Sequence, residues 1–237
     1  MDRFFCPELT STSQSIELSL DERHHIVNVF RKRPGDQIEI TNGSGRVAIA
    51  EVEKIDRQSV ACRVLKITEV SPPLPRIHLA ISTIRPKRMD WAVEKLTELG
   101  CCTIQPLIFK YTNVKAFKIN HLQKIAISAL KQSKQAFLPK LSALQSFSDW
   151  LQQLPATSKS LRLLAHLSES AQGMPTINLA DFQDIWVIIG PEGGFSDSEL
   201  ALANANECRA IKLSDSILRS ETAAIAAVAQ AKSLCLK

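Results

Sequence analysis

The sequence predicts an α/β protein, a small β-rich amino-terminal unit followed by a larger parallel-sheet domain with helices on both faces. Three observations predict it. Short strand-like segments parted by turns fill the first 70 residues, a proline cluster (Ser71-Pro72-Pro73-Leu74-Pro75) interrupts the chain, and beyond it apolar strands alternate with helical segments. Clustered prolines sustain neither a helix nor a central strand. The division is therefore residues 1–70, a linker of residues 71–75, and residues 76–237.

In the first unit, residues 38–40, 46–52 and 59–65 read as strands. Asn42-Gly43-Ser44-Gly45 and Asp56-Arg57-Gln58 supply turns between them. Ser19 and Glu22 form a capping-box pattern that opens a helix over residues 23–31, and Pro34-Gly35 ends it. After the linker, residues 77–84 are an apolar strand. Residues 87–100 place Met89, Ala92, Val93, Leu96 and Leu99 at helical spacing, with Gly100 as the stop. A strand over residues 101–109 and a long basic helix over residues 119–137, ended by Pro139, come next. Strands follow at residues 161–165, 185–189 and 210–213. Ser196 and Glu199 open a helix running to Asn206, and a last helix covers residues 220–234.

Composition is that of an ordinary globular chain, with 45% hydrophobic and 22% charged residues among 237. No run approaches the roughly 18 apolar residues of a membrane span. The start, Met1-Asp2-Arg3-Phe4-Phe5, lacks the basic-then-apolar pattern of a secretory leader, so the expected location is the cytoplasm. Six cysteines occur without a Cys-x-x-Cys pair, which favours reduced thiols and no bound metal. The net charge of +5 is modest, but its distribution is not even. Basic residues gather at Arg31-Lys32-Arg33 and at Arg85-Pro86-Lys87-Arg88. From Lys110 through Lys115, Lys118, Lys124, Lys131 and Lys134 to Lys140 no Asp or Glu intervenes. A run of this kind points to a polyanionic partner.

In open α/β sheets ligands bind outside the carboxyl ends of the strands, and two such ends carry unusual loops. Directly after residues 185–189 comes Gly190-Pro191-Glu192-Gly193-Gly194-Phe195, whose glycines allow close backbone approach to a ligand. It is neither a P-loop nor a dinucleotide fingerprint. The other is Leu213-Ser214-Asp215-Ser216-Ile217-Leu218-Arg219-Ser220-Glu221-Thr222, which opens a helix of small apolar residues suited to close packing.

Together these motifs, with Ser196 after the first and Ala223 after the second, resemble the signature of the RsmE family. These are bacterial 16S ribosomal RNA (uracil-N3)-methyltransferases of the SPOUT superfamily. The resemblance extends to His24-His25 with Val29-Phe30-Arg31, to Lys87-Arg88-Met89 with Glu94-Lys95-Leu96-Thr97-Glu98-Leu99-Gly100, and to Gln132-Ser133 with Leu138-Pro139. It implies a PUA-like RNA-binding barrel, a deep trefoil knot in the second domain and a homodimer. It also implies S-adenosyl-L-methionine as methyl donor, held by Ile189, Gly190, Pro191, Glu192, Gly193 and Gly194 on one side. Leu213, Ile217, Leu218 and Thr222 would form the other side, and Leu164 and His166 a third wall.

Uracil N3 carries a proton, so the nucleophile forms only on its loss, and a nearby cation stabilises the anion; Arg219 is the candidate. Glu221 would accept the proton or orient Arg219, the second being favoured because a carboxylate beside arginine is a weak base. Candidates for contact with 16S RNA of the small ribosomal subunit are His25, Arg31, Arg33, Arg85, Lys87, Arg88, Lys131 and Lys134. Where many relatives carry Arg, this chain has Lys131-Gln132-Ser133-Lys134-Gln135 and Lys110-Tyr111, and lysine does not replace bidentate arginine. Two other readings stay open: a SPOUT enzyme with a different ribosomal or transfer RNA target, and a non-catalytic RNA-binding assembly factor.

Overall fold

The structure, a computed structural model, describes residues 1–114, 117–155, 157–168 and 171–235, so Lys115 of the basic run lies outside the described residues. The chain divides into two compact units. One comprises Met1–Pro72 with Ile127–Leu138, the other Pro73–Ala126 with Pro139–Lys237.

The first unit is built on a five-stranded sheet from β1 (Arg3–Phe5), β2 (Ser15–Leu18), β3 (Gln37–Thr41), β4 (Arg46–Ile55) and β5 (Val60–Glu69). Pairing runs β1-β3-β4-β5-β2, a half-barrel antiparallel except for β1 beside β3. Phe4, Leu18, Ile26, Ile38 and Ile40 are among its core residues and are at most 1% exposed. Burying each such side chain contributes about 1.5–3 kcal/mol. Helix α1 (Leu20–His24) starts where Ser19 accepts a hydrogen bond from the Glu22 amide, then passes into a π-helical turn, His25–Val29. The expected capping box is only half made. Glu22 turns its carboxylate away from the cap to meet Lys131 at 2.7 Å, both side chains nearly buried. A buried carboxylate gains more from a counter-charge than from one exposed amide.

The second unit opens with β6 (Arg76–Ser82), α2 (Pro86–Glu98), β7 (Thr103–Ile108) and α3 (Ile119–Ser133). Helix α3 is shorter than expected. Lys134 adopts φ +56°, which ends the helix well before Pro139. Short β8 (Lys140–Leu141), β9 (Gln145–Ser146) and α4 (Phe147–Gln153) precede β10 (Ser160–Ala165) and β11 (Gln172–Gly173). Then come β12 (Asp184–Ile189), α5 (Asp197–Ala205), β13 (Arg209–Lys212) and α6 (Ser220–Cys235). The eight-stranded sheet is parallel throughout, in the order β11-β13-β10-β12-β6-β7-β8 with β9 also on β7. Both arms of the Ser196/Glu199 capping box at α5 are present. Helix α6 buries Ala223, Ala224, Ala227, Val228 and Ala231, small residues that let it lie close on α2, β6 and β12.

All six cysteines are free thiols. Burial pushes Cys62 and Cys101 up to about 12 and Cys6 and Cys208 up to about 11, so they stay protonated and inert. Among the described residues no helix is long and apolar enough to cross a membrane, and no cluster of three His, Cys, Asp or Glu side chains could hold a metal ion.

Candidate active site

Strand β12 ends at Ile189, and the chain turns at once through the glycine loop, closed by the Gly194 amide donating to Pro191 O at 2.9 Å. Gly194 takes φ +75°, a conformation that side chains resist. A Cβ on Gly190 would come within 2.7 Å of the Phe195 ring, so glycine there lets Phe195 fold back over the strand end. Phe195 meets Phe109 and His166 edge-to-face, with centroids 5.5 and 5.9 Å apart. These contacts position one wall of a cavity of about 270 Å³ outside the ends of β10, β12 and β13. The opposite wall is Leu213, Ser214, Ser216, Ile217 and Leu218. Ser220, the first residue of α6, donates from Oγ to Gly190 O at 2.9 Å and ties the two walls together.

Beside this cavity lies an ion trio. Arg88, in the first turn of α2, donates through Nη1 to the Glu192 carboxylate, and its Nε stands 3.4 Å from Glu221 Oε1. Glu221 is 5% exposed, and its Oε2 is buried with no hydrogen-bond partner among the described residues. Arg219 is exposed and forms no ion pair with a described residue.

A model describing an RNA methyltransferase domain matches residues 71–232, and one describing an RNA methyltransferase PUA domain matches residues 19–65. The chain belongs to the RsmE family of RNA methyltransferases. It is 28% identical to the ribosomal RNA small subunit methyltransferase E of Rickettsia conorii, over 98% of this chain and 96% of that protein. The enzyme of the same name from Bacillus subtilis is 29% identical over 96% of this chain and 94% of its own. Among solved structures, ribosomal RNA small subunit methyltransferase E of Neisseria gonorrhoeae bound to S-adenosyl methionine superposes with a TM-score of 0.88. That pair shares 29% identity and covers 99% of this chain and 98% of the other.

In this RsmE family member, nine residues expected at the donor site line the cavity: His166, Ile189, Gly190, Pro191, Glu192, Gly194, Leu213, Ile217 and Leu218. Leu164, Gly193 and Thr222 do not. Strand side chains alternate between faces, and Leu164 packs with Ile188, Phe147 and Trp150 in the core behind the sheet while the next residue, Ala165, faces the cavity. A Cβ on Gly193 would meet Tyr111, and Thr222, between cavity-lining Ser220 and Ala223, is turned to the exposed side of α6. Ala165, Phe195, Ser220 and Ala223 also line the cavity. Strand parity and the helical period of α6 carry that information in the sequence. The expected pairing of Glu221 with Arg219 is replaced by pairing with Arg88.

The RNA candidates are distributed over both units. In the first, Arg31 (φ +54°) and Arg33 are exposed, and His25 is half-buried with Nδ1 unpartnered among the described residues. Lys131 is committed to Glu22, and Lys134 lies 3.7 Å from Glu39. The run that looked free of acids in sequence thus meets two acids in space. In the second unit Arg85 and Lys87 are exposed, whereas Arg88 is held in the ion trio.

The cavity suits S-adenosyl-L-methionine. Its apolar floor of Ile189, Ile211 and Leu213 matches a purine face, and the loop backbone comes close because Gly190 has no side chain.

Proposed function

We propose that this chain transfers a methyl group from S-adenosyl-L-methionine to N3 of one uridine in the 16S ribosomal RNA of the small subunit, acting in the cytoplasm as a homodimer. The observation that carries the reading is the cavity at the strand ends, walled by the glycine loop and by residues 213–218, in a chain of this family. The similar Neisseria protein was solved with the methyl donor bound. Bound in this cavity, the donor supplies an electrophilic methyl group on a sulfonium.

The remaining work falls to the chain. Glycine-loop and 213–218 backbone hold the adenosyl portion, with Leu213, Ile217 and Leu218 against the purine and His166 at the third wall. The N3 proton is lost first, to solvent, and the N3 lone pair then bonds the methyl carbon as the bond from that carbon to sulfur breaks. Arg219, exposed beside the cavity mouth, is the cation that stabilises the uracil anion. Glu221, buried and 3.4 Å from Arg88 Nε, anchors the first turn of α6 directly after Arg219. His25, Arg31, Arg33, Arg85 and Lys87 are the residues for contact with RNA, while Lys131 and Arg88 act first as internal counter-charges.

The test is methyl transfer from labelled donor to small-subunit particles, followed by mapping of the modified base. A product at uracil N3 is expected. Methylation of transfer RNA, or of a carbon or ribose atom, would exclude the reading, as would the absence of donor binding at millimolar concentration.

A further inference from the structure

We infer that Tyr111 is a stacking platform for an unpaired RNA base beside the target uridine, with Lys110 holding a neighbouring phosphate; the inference rests on the function proposed above. A single exposed aromatic side chain is ordinary on a protein surface. Tyr111, 45% exposed, differs in how it is mounted. It sits in the turn that follows β7, and that turn is braced on both sides. The Phe109 amide donates to Thr112 Oγ1 at 2.8 Å, and the Thr112 amide to Phe109 O at 3.1 Å. Thr112 Oγ1 also meets Ser82 Oγ on β6 at 3.0 Å, and the Lys110 amide donates to Glu199 Oε1 at 2.7 Å. A ring on a fixed backbone spares the ordering entropy that a mobile loop would lose on binding.

The surroundings of the ring say what it meets. A Cβ on Gly193 would come within 2.9 Å of Tyr111 Cβ and 3.5 Å of Cγ, so the root of the side chain rests on the glycine loop. Gly193 does not line the donor cavity, although Glu192 and Gly194 on either side of it do. Tyr111 therefore stands outside the cavity against one of its walls, and the base it receives is a neighbour of the one methylated. Lys110 Nζ lies over the ring, 5.5 Å from its centroid. Exposed Arg85 and Lys87 follow β6, the strand paired with β7. Glu192, the acid beside Gly193, is taken up by Arg88. Cations that follow a phosphate backbone, with an open aromatic ring among them, are the means by which proteins hold unpaired RNA. Stacking uses the face of a base and no hydrogen bond, so the platform accepts any base.

The experiment has two arms. Tyr111 is the single tyrosine of the chain, so tyrosine-selective isotope labelling gives ring signals from this residue alone. On addition of a short single-stranded oligouridylate at millimolar concentration, the ring protons should move upfield, as they do under a stacked base. Unmoved signals would overturn the inference. The second arm measures kcat and KM on small-subunit particles, with donor affinity by calorimetry, for Tyr111→Leu, Tyr111→Trp and Lys110→Ala. Tyr111→Leu is expected to raise KM about tenfold, with kcat and donor affinity within about threefold of wild type. Tyr111→Trp should restore KM, because the larger ring stacks as well. Lys110→Ala should lower the salt dependence of KM by about one phosphate contact, which Tyr111→Leu leaves unchanged. A loss of donor affinity in Tyr111→Leu would make Tyr111 a prop for the glycine loop and overturn the inference, as would a KM that tryptophan does not restore. The ring signal requires no turnover. Should the wild-type chain methylate a different nucleotide, the preceding reading fails, while the ring signal still decides whether Tyr111 stacks on RNA.

Discussion

The two edges of the parallel sheet use similar residue types to opposite ends. At the amino-terminal edge, His78 on β6 bonds Asp184 Oδ1 through Nε2 and Thr103 Oγ1 through Nδ1, each at 2.9 Å, and stacks on Trp186. Arg76 meets both oxygens of Asp184 at 2.7 Å. Both ring nitrogens and both carboxylate oxygens are therefore satisfied within the protein. At the carboxyl-terminal edge the glycine loop borders a cavity, Arg219 is exposed with no ion pair among the described residues, and Ile217 is 90% exposed. A closed polar cluster fixes strands, whereas exposed side chains around a cavity are available to something that is not part of the chain. Residue type alone does not separate these roles; the state of satisfaction does.

The contrast can be broken at either edge. The largest effect is expected from Arg219→Ala at the open edge. Turnover should fall about 100- to 1,000-fold, as when one preorganised charge-stabilising donor is removed, while titration calorimetry shows unchanged donor affinity. Equal loss of both would make Arg219 a cavity-wall residue. At the closed edge, Asp184→Ala should leave kcat unchanged and cost about 1–3 kcal/mol of stability, because buried His78 loses a partner. Chemical denaturation and steady-state kinetics on the same preparation check both halves. A kcat loss in that variant would erase the division of labour between the edges.

The smallest effect concerns pH. Burial holds His78 below the ordinary 6.5, outweighing its hydrogen bond to Asp184, with Arg76 and Lys232 acting in the same direction. The folded state thus binds the proton less readily than the unfolded chain. This contribution to stability is complete above about pH 6.5 and is lost as pH falls through the window below it. Asp184, held low chiefly by Arg76, adds a second loss at more acid pH, below its ordinary 3.8. Melting temperature should therefore decline gently from pH 7 toward pH 5, and less in His78→Gln. Identical slopes in both proteins would show that other groups carry the dependence.

Local chemistry was legible in the sequence, and distant partnership was not. The Ser196/Glu199 box, the glycine loop after an apolar strand and the small-residue helix all state their conformation within a few residues. Glu22 states it misleadingly, because Lys131 is 109 positions away and overrides a local cap. Glu221 and Arg88 show the same failure: the arginine two positions before Glu221 in sequence is not its partner in space. Leu164 was misplaced by a single step of strand parity, which apolar residues on both faces of a buried parallel strand conceal. Strands of two residues, such as β8, β9 and β11, are too short to carry a period at all.

The first unit is also discontinuous along the chain. Its turn at Gly43 packs against Leu130 and Leu138, Ser44 bridges to Phe137, and Arg3 donates to Lys134 O and Gln135 O at 2.5 and 3.0 Å. During synthesis the five strands leave the ribosome well before these partners exist. The half-barrel therefore waits, with Glu22 lacking its counter-charge, until translation has passed Leu138. A gene fragment cut at the proline cluster would encode the strands without the segment that completes them.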